Sequence, residues 1–235
     1  MTATLHGIAG INKDIQTFSS TTGTSFNHLT NNFSPPANLD QPWIRTGSSA
    51  VGPAQNVYVG YNHLGAAGGR TASVNVSTND GTTYAARVIE TVNPGAGQDG
   101  PAIRLAVNSG TVYAVFTRWN TRVSTSGDGT RFGSDIVVVR STDFGVSFSA
   151  GTRVNASLNS AIVPFTNCNP NCVLNTPLTL GAERVGSDNA IAVARNAPNR
   201  VIVAYVDSPA WGRCRWSCRN RPTGARPGRR GSGLR

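Results

Sequence analysis

The chain has 235 residues, of which 26 are glycine and 13 are proline, and its formal net charge is +10. That charge divides unevenly, with +2 on residues 1–211 and +8 on residues 212–235, so the body of the protein is nearly neutral. No apolar run is long enough to cross a membrane as a helix, and no segment sustains apolar residues at helical spacing. These features exclude a helical membrane protein and predict an all-β fold of short strands.

Three segments share an eight-residue pattern of a serine, a short polar turn, a glycine, a hydroxyl residue and an aromatic residue. In chain order they are 19–26, 77–84 and 141–148. The first copy keeps only the frame of the pattern, whereas the other two are nearly complete. Their defining residues are Ser77, Asn79, Gly81 and Tyr84 in one copy, and Ser141, Asp143, Gly145 and Phe148 in the other. Repetition at a period of about 60 residues indicates an array of similar supersecondary units.

The pattern has a direct physical interpretation as a hairpin turn. A β-branched run precedes both nearly complete copies, which predicts a strand entering the turn. Asp143, or Asn79 in its place, can accept hydrogen bonds from the N–H groups of the turn. The glycine supplies a backbone conformation with positive φ, and the aromatic residue anchors the returning strand. We therefore predict hairpin turns at 21–24, 79–82 and 143–146.

This pattern resembles the Asp-box, or BNR repeat, of sialidases and related β-propellers. The resemblance implies a propeller of four-stranded antiparallel blades, with six blades in sialidases, and it implies that the Asp-box residues are structural. Sialidases use a tyrosine nucleophile and bind the substrate carboxylate with three arginines, the first of them in an Arg-Ile-Pro motif. The nearest match here ends in Arg45, with the order reversed, and Arg104 has the same drawback. No catalytic residue can therefore be assigned from the resemblance.

A second repeat alternates with the first. Each copy has an aspartate, a short apolar strand, a turn, and a strand that ends in an aromatic residue. The three copies are Asp40 with 56–61, Asp99 with 111–116, and Asp188 with 200–205. Combined with the Asp-box, this repeat gives the four strands of one propeller blade.

The two repeats divide residues 1–211 into about three blade-equivalents of a partial propeller. The predicted units are an outer half-blade (1–39), a blade (40–98), a blade with a cysteine-containing insertion (99–184) and an inner half-blade (185–211). Closed propellers have roughly four to eight blades, so we expect the chain to be part of a larger propeller. Cys168 and Cys172 in the insertion favour a small disulfide over zinc, which indicates an extracellular or cell-surface location.

Residues 212–235 contain eight arginines and no acidic residue. One interpretation is a tail that binds polyanions without sequence preference, because dense arginine neutralises phosphates. The other is a frameshift in a GC-rich gene, which we favour because the change in composition interrupts an unfinished blade. Either interpretation predicts a disordered segment with too little apolar area to fold.

Candidate binding residues lie at the first strand of each predicted blade. Asp40, Asp99 and Asp188 precede these strands, so they would surround one mouth of the channel and could bind a cation or sugar hydroxyls. Each could instead cap its own turn. Arg45 and Arg104 could join this funnel mouth or be solvated strand residues. Calcium at Asp128 and Asp135, in a loop spanning 124–134, is a weaker candidate than a solvated loop, and no other metal or cofactor is expected.

The repeats and the candidate residues are compatible with two functions from different classes. The first is a non-catalytic propeller that binds a carbohydrate or protein ligand at its funnel face. The alternative is a fragment of an exo-sialidase-type glycoside hydrolase whose catalytic blades are missing. All five tyrosines are expected at core strand positions or in an Asp-box, which favours the first function for this chain.

Overall fold

The computed structural model describes residues 2–8, 11–29, 39–50, 53–63, 71–90, 103–125, 129–158, 189–210 and 213–222. All regular structure in these residues is β-strand, so none of them forms a helix long and apolar enough to span a membrane. The strands are β1 (Thr2–Ile8), β2 (Ile11–Ser19), β3 (Asn27–His28), β4 (Leu39–Ser48), β5 (Gln55–His63), β6 (Thr71–Ser77), β7 (Ala85–Val88), β8 (Arg104–Asn108), β9 (Thr111–Thr125), β10 (Gly129–Ser141), β11 (Thr152–Leu158), β12 (Asn189–Ala194), β13 (Ala197–Ala210) and β14 (Arg213–Pro222).

These strands form four antiparallel sheets in which neighbours in the chain are neighbours in the sheet. The first sheet contains β1–β3, the second β4–β7, the third β8–β11 and the fourth β12–β14. Each strand pair is joined by a hairpin connection, as expected for antiparallel neighbours. The predicted all-β class and the two four-stranded antiparallel sheets are confirmed.

The first and fourth sheets have three strands each, where the sequence predicted half-blades of two strands. In the fourth sheet the additional strand is Arg213–Pro222, which pairs with β13 from Arg200 to Ala210. The sequence predicted disorder from residue 212 onward, whereas these ten residues pair as a strand. An edge strand such as β13 presents unpaired N–H and C=O groups that a neighbouring segment can bond whatever its side chains are. Residues 223–235 of the predicted tail lie outside the described residues.

The 124–134 segment also differs from its predicted structure. The sequence suggested a solvated loop, but β9 extends to Thr125 and β10 begins at Gly129, and the two strands pair through this region. Paired main-chain groups satisfy their own hydrogen bonds, so a glycine- and serine-rich composition does not by itself prevent a strand.

The four sheets stack face to face in chain order, with an apolar core in each of the three interfaces. The core between the first and second sheets includes Ile15, Val57, Val59 and Tyr61. The core between the second and third includes Tyr58, Val74, Leu105, Val112 and Phe116. The core between the third and fourth includes Tyr113, Val115, Val201 and Val203.

The second strand of each inner sheet supplies both of its flanking cores. In β5, Val57 and Val59 pack toward the first sheet, whereas Tyr58 between them packs toward the third. In β9, Val112 and Tyr113 divide in the same way between the second and fourth sheets. Successive side chains of a strand point to opposite faces, so a strand buried on both faces is apolar at nearly every position.

The first strands of neighbouring sheets lie next to one another, because β4 contacts β8 and β8 contacts β12. The Asp-box turns and the β4–β5, β8–β9 and β12–β13 connections lie at one edge of the sheets, called here the Asp-box edge. Antiparallel pairing places the start of β4, the end of β5, the end of β7 and the start of β8 at the opposite edge, called here the loop edge.

Candidate functional site

The Asp-box turn at 141–148 is a closed network of hydrogen bonds. The hydroxyl oxygen of Ser141 accepts from the N–H of Gly145 at 2.8 Å, and the hydroxyl hydrogen is donated to the carboxylate of Asp143 at 2.6 Å. The same carboxylate accepts the N–H of Ser147 at 3.0 Å and its hydroxyl at 2.5 Å. These hydrogen bonds lower the pKa of Asp143 to about 2, with the Ser141 hydroxyl as the largest cause. All polar groups of Asp143 are used inside the turn, which indicates a structural role.

The turn at 77–84 repeats this network with Asn79 in place of the aspartate. The Ser77 hydroxyl accepts from the N–H of Gly81 at 2.9 Å and donates to the side-chain oxygen of Asn79 at 2.8 Å. That oxygen also accepts the N–H of Thr83 at 3.0 Å. The amide nitrogen of Asn79 donates to the Thr83 hydroxyl at 2.9 Å. At the same place in the other turn the direction is reversed, because the Asp143 oxygen accepts from the Ser147 hydroxyl. Two sequences with different central residues therefore build the same turn.

The turn within 19–26 also joins two antiparallel strands, but a different serine accepts the hydrogen bond from its glycine. Gly23 has a φ of +78°, as the predicted glycine should. However, the N–H of Gly23 donates to the hydroxyl of Ser20 at 2.7 Å, so Ser20 and not Ser19 takes the role of the first serine. Thr22 and Thr24 join hydroxyls at 2.9 Å in place of the missing acid. Phe26 is exposed, whereas Tyr84 and Phe148 pack against the cores.

Trp43, Arg45 and Arg104 meet at the first strands of the second and third sheets. We call these three residues the arginine–tryptophan cluster. The guanidinium carbon of Arg104 lies 4.4 Å from the centroid of the Trp43 ring, and that of Arg45 lies 4.8 Å from it. Both distances are within the range of cation–π attraction. The structure therefore brings together the two arginines that the sequence singled out, and adds a tryptophan that the sequence did not single out.

The approach to this cluster is shaped by a β-bulge in β4 between Asp40 and Trp43. Gln41 in the bulge has a φ of +56°, which is unfavourable for a residue with a side chain. Its side-chain oxygen accepts a hydrogen bond from Asn62 at 2.9 Å. In the described part of the chain, the other residues with positive φ and a side chain each precede a glycine in a tight turn, and they are Asp80, Ser109 and Phe144. Strained backbone outside such turns is often found near ligand sites.

The predicted ring of three aspartates stays a prediction. Asp40 lies on β4, where its backbone pairs with Asn62, and Asp99 and Asp188 lie outside the described residues. The same holds for Asp128, Cys168 and Cys172. Among the side chains that the structure describes, no group of three or more His, Cys, Asp or Glu residues could hold a metal ion.

Two buried carboxylates are paired with arginines, and only one of them, Asp135, was singled out from the sequence. Glu90 follows β7, and its side chain accepts two hydrogen bonds from Arg118, each of 2.9 Å. Asp135 lies opposite Arg118 on β10 and forms an ion pair with Arg153 at 3.5 Å. Asp135 is only 2% exposed and lies on β10, so its predicted place in a solvated loop is wrong. Both carboxylates are matched by arginines, and this pairing explains how they tolerate burial.

All five tyrosines are engaged in packing, as the sequence predicted. Tyr58 donates to the carbonyl of Phe144, and Tyr113 donates to the carbonyl of Pro198. Tyr61 donates to the side-chain oxygen of Asn75, and burial raises its pKa to about 12. Burial also raises the pKa of Tyr84, whose hydroxyl contacts Thr17, and Tyr205 is 2% exposed in the core between the third and fourth sheets.

No protein-family model matches the chain, and no curated protein matches it. Among solved structures, a mutant of NanB sialidase from Streptococcus pneumoniae has a TM-score of 0.39 and 14% identity, over 86% of this chain and 28% of that one. Trypanosoma rangeli sialidase has a TM-score of 0.41 and 12% identity, over 92% of this chain and 35% of that one. The chain thus spans about a third of the length of these sialidases, and the likeness is weak.

Proposed function

We propose that the four sheets are blades of a sialidase-like Asp-box β-propeller, and that this part of it binds a glycan without hydrolysing it. Three features support the propeller assignment. The Asp-box turns at 77–84 and 141–148 have the same hydrogen bonds, the sheets stack in chain order, and their first strands are adjacent. Adjacent first strands are the arrangement by which blades surround a propeller axis.

The observation that carries the non-hydrolytic part of the proposal is that every tyrosine packs between strands or sheets through its ring or its hydroxyl. A sialidase needs a tyrosine whose hydroxyl is accessible and close to a carboxylate. Tyr58, Tyr61 and Tyr113 are buried, and their hydroxyls donate to Phe144, Asn75 and Pro198. Freeing such a hydroxyl for nucleophilic attack would break the packing that holds two strands or two sheets together. The arginine–tryptophan cluster on the first strands of the second and third sheets offers a polar binding surface without this nucleophile.

The proposal is tested with the purified full chain on two readouts. One is the hydrolysis of a fluorogenic sialoside, and the other is binding to an array of neutral and acidic glycans. We expect binding without turnover. Turnover that is lost in Arg45→Ala would identify the chain as a catalytic sialidase fragment instead. An array with no glycan bound above background would overturn glycan binding.

A further inference from the structure

The third strand of the second sheet, β6, presents a buried polar row toward the first sheet. Four alternate residues of this strand are polar and at most 1% exposed, and they are Thr71, Ser73, Asn75 and Ser77. At the two ends of the row, the hydroxyl of Thr71 donates to the carbonyl of Glu90, and that of Ser77 closes the Asp-box turn. The two residues between them lie against the core shared with the first sheet, because their cross-strand neighbours Tyr61 and Val59 belong to that core.

Ser73 and Asn75 carry polar groups whose hydrogen bonds are not completed. Neither the Ser73 hydroxyl nor the amide nitrogen of Asn75 forms a hydrogen bond of ordinary geometry with the residues that the structure describes. The side-chain oxygen of Asn75 accepts from the Tyr61 hydroxyl at 3.2 Å. Burial raises the pKa of Tyr61 to about 12, and the nearby Ser73 hydroxyl opposes this rise, so the three polar groups lie close together. Buried polar groups without partners cost free energy, so native proteins rarely leave them unmatched.

The Asp-box serines provide a common register for the second and third sheets. Ser77 ends β6 and pairs with Val57, whereas Ser141 ends β10 and pairs with Val112. Each serine accepts the N–H of the glycine in its own turn, so the two pairs occupy the same place in their sheets. Positions of β5 and β6 can therefore be matched with those of β9 and β10 by counting from these serines.

In this register, each of the three polar residues has an apolar counterpart in the third sheet. Ser73 and Asn75 lie four and two residues before Ser77, and Tyr61 lies opposite Ser73. The counterparts lie in the core between the second and third sheets, and they are Val137, Val139 and Phe116. Tyrosine differs from phenylalanine only by its hydroxyl, so the three polar groups are present together in one interface and absent together in the next. The strands do not require these groups, because the third sheet forms the same pairs without them.

The chemistry of the three groups restricts what can bind between them. The amide nitrogen of Asn75 is a donor, so the ligand must accept a hydrogen bond, which excludes a metal cation. An anion would need a balancing charge. The residues that pair with Ser73 and Asn75 are all uncharged, and they are Tyr61, Val59, Val88 and Ala86. A water molecule both accepts and donates, and roughly three polar partners hold such a molecule in protein interiors.

We propose that Ser73, Asn75 and Tyr61 bind one ordered water molecule in the interior between the first and second sheets. The water accepts from the amide nitrogen of Asn75 and exchanges hydrogen bonds with the two hydroxyls. Solvent reaches this site past β7, because Ala86 and Val88 on that neighbouring strand are exposed. The interface of the first and second sheets is thus hydrated at a place where that of the second and third sheets is dry. The site faces away from the third sheet, so it does not depend on the proposed glycan binding.

The test counts long-lived internal water molecules in the full chain by ¹⁷O magnetic relaxation dispersion. The double variant Ser73→Val, Asn75→Val carries the side chains of the equivalent positions in the third sheet, and we expect it to hold one long-lived water molecule fewer than wild type. Val74→Ala, on the other face of β6, is the control, because a cavity lined by apolar side chains stays dry. Equal counts in wild type and the double variant would overturn the proposal. The same loss in Val74→Ala would attribute the effect to general destabilisation and overturn it as well.

A crystal structure of the wild-type chain is the second measurement, and it decides the question if the double variant does not fold. We expect electron density for a water molecule within hydrogen-bonding distance of the Ser73 hydroxyl and the amide nitrogen of Asn75. A dry contact between these side chains and the first sheet, or a protein acceptor for the Asn75 amide, would show that no water is bound there.

Discussion

The hydroxyl of Tyr58 in the second sheet donates a hydrogen bond of 3.2 Å to the carbonyl of Phe144 in the Asp-box turn of the third sheet. The ring of Tyr58 also lies against Gly145, the next residue of that turn. An equivalent contact recurs one sheet later, where Tyr113 donates to the carbonyl of Pro198 at 2.9 Å. Tyrosines on the second strand of a sheet therefore join it to the sheet that follows.

Replacing Tyr58 with phenylalanine should destabilise the protein while leaving the apolar packing intact. The substitution removes the hydrogen bond to Phe144 and the acceptor of a 3.1 Å bond from Asn56, whose amide is buried. We expect a loss of about 1–3 kcal/mol in the free energy of unfolding, measured by urea denaturation. Tyr84→Phe is the matched control, since its contact with Thr17 is longer at 3.5 Å, and it should lose less. Equal losses in the two variants would contradict the role of Tyr58.

Alanine substitutions at two glycines of the Asp-box segments distinguish the cost of backbone strain from the cost of disturbed packing between sheets. Gly145 and Gly23 have φ values of +86° and +78°, so alanine at either position costs about 1–2 kcal/mol in backbone strain. A Cβ at Gly145 would also lie 2.9 Å from Tyr58 and 3.1 Å from Val76, whereas a Cβ at Gly23 meets nothing within 4 Å. Gly145→Ala should therefore be more destabilising than Gly23→Ala by about 1–3 kcal/mol in chemical denaturation. A smaller loss at Gly145 would show that the sheets separate easily.

The strands were predictable wherever the chain carried its own local signal. The hairpins near 79–82 and 143–146 follow from a serine, an acid or amide, and a glycine at fixed spacing, because these residues satisfy the turn without help from other sheets. Strand β14 had no such signal, since its pairing depends on the free edge of β13. The exchange of Ser19 for Ser20 in the first turn was equally hidden, because both positions hold a serine and the sequence does not show which hydroxyl meets the N–H of Gly23.

The candidate site was only half predictable, because its members come from different sheets. Trp43 and Arg45 are two residues apart on one strand and therefore share a face, which the sequence pattern reveals. Arg45 and Arg104 each lie about five residues after the aspartate of their repeat, Asp40 or Asp99, which would make them equivalent if the strands followed the same course. The N–H of Asp80 donates to the carbonyl of Gln55, and the N–H of Phe144 donates to the carbonyl of Gly110, so Gln55 and Gly110 are equivalent positions of β5 and β9. Gly60 of β5 then corresponds to Val115 of β9. Because Trp43 pairs with Gly60 and Arg104 pairs with Val115, Arg104 is the equivalent of Trp43 and not of Arg45.

Asp143 should make stability depend on pH in acid. Its pKa is lowered to about 2 in the folded protein, below the ordinary value of 3.8. A lowered pKa contributes stability that is fully present above about pH 4 and is lost as the pH falls toward 2. Asp143→Asn should keep most of the turn at pH 7, because Asn79 makes the equivalent bonds, and should lack this acid-dependent loss. Parallel stability curves for wild type and Asp143→Asn between pH 4 and 2 would contradict this prediction.

The bond between Glu90 and Arg118 should be the strongest ionic link between the second and third sheets. Both contacts are 2.9 Å, and the exposed fractions of the two side chains are 3% and 26%. Glu90→Gln should cost about 3 kcal/mol, the low end for breaking a buried pair, because Arg118 keeps some contact with water. Arg118→Met in the Glu90→Gln background should cost less than it does alone, which a double-mutant cycle of unfolding free energies measures.

Arg153→Met is the comparison. Its partner Asp135 is 3.5 Å away and Arg153 is 59% exposed, so we expect a loss below about 1 kcal/mol. Additive losses in the cycle would show that Glu90 and Arg118 stabilise the protein independently.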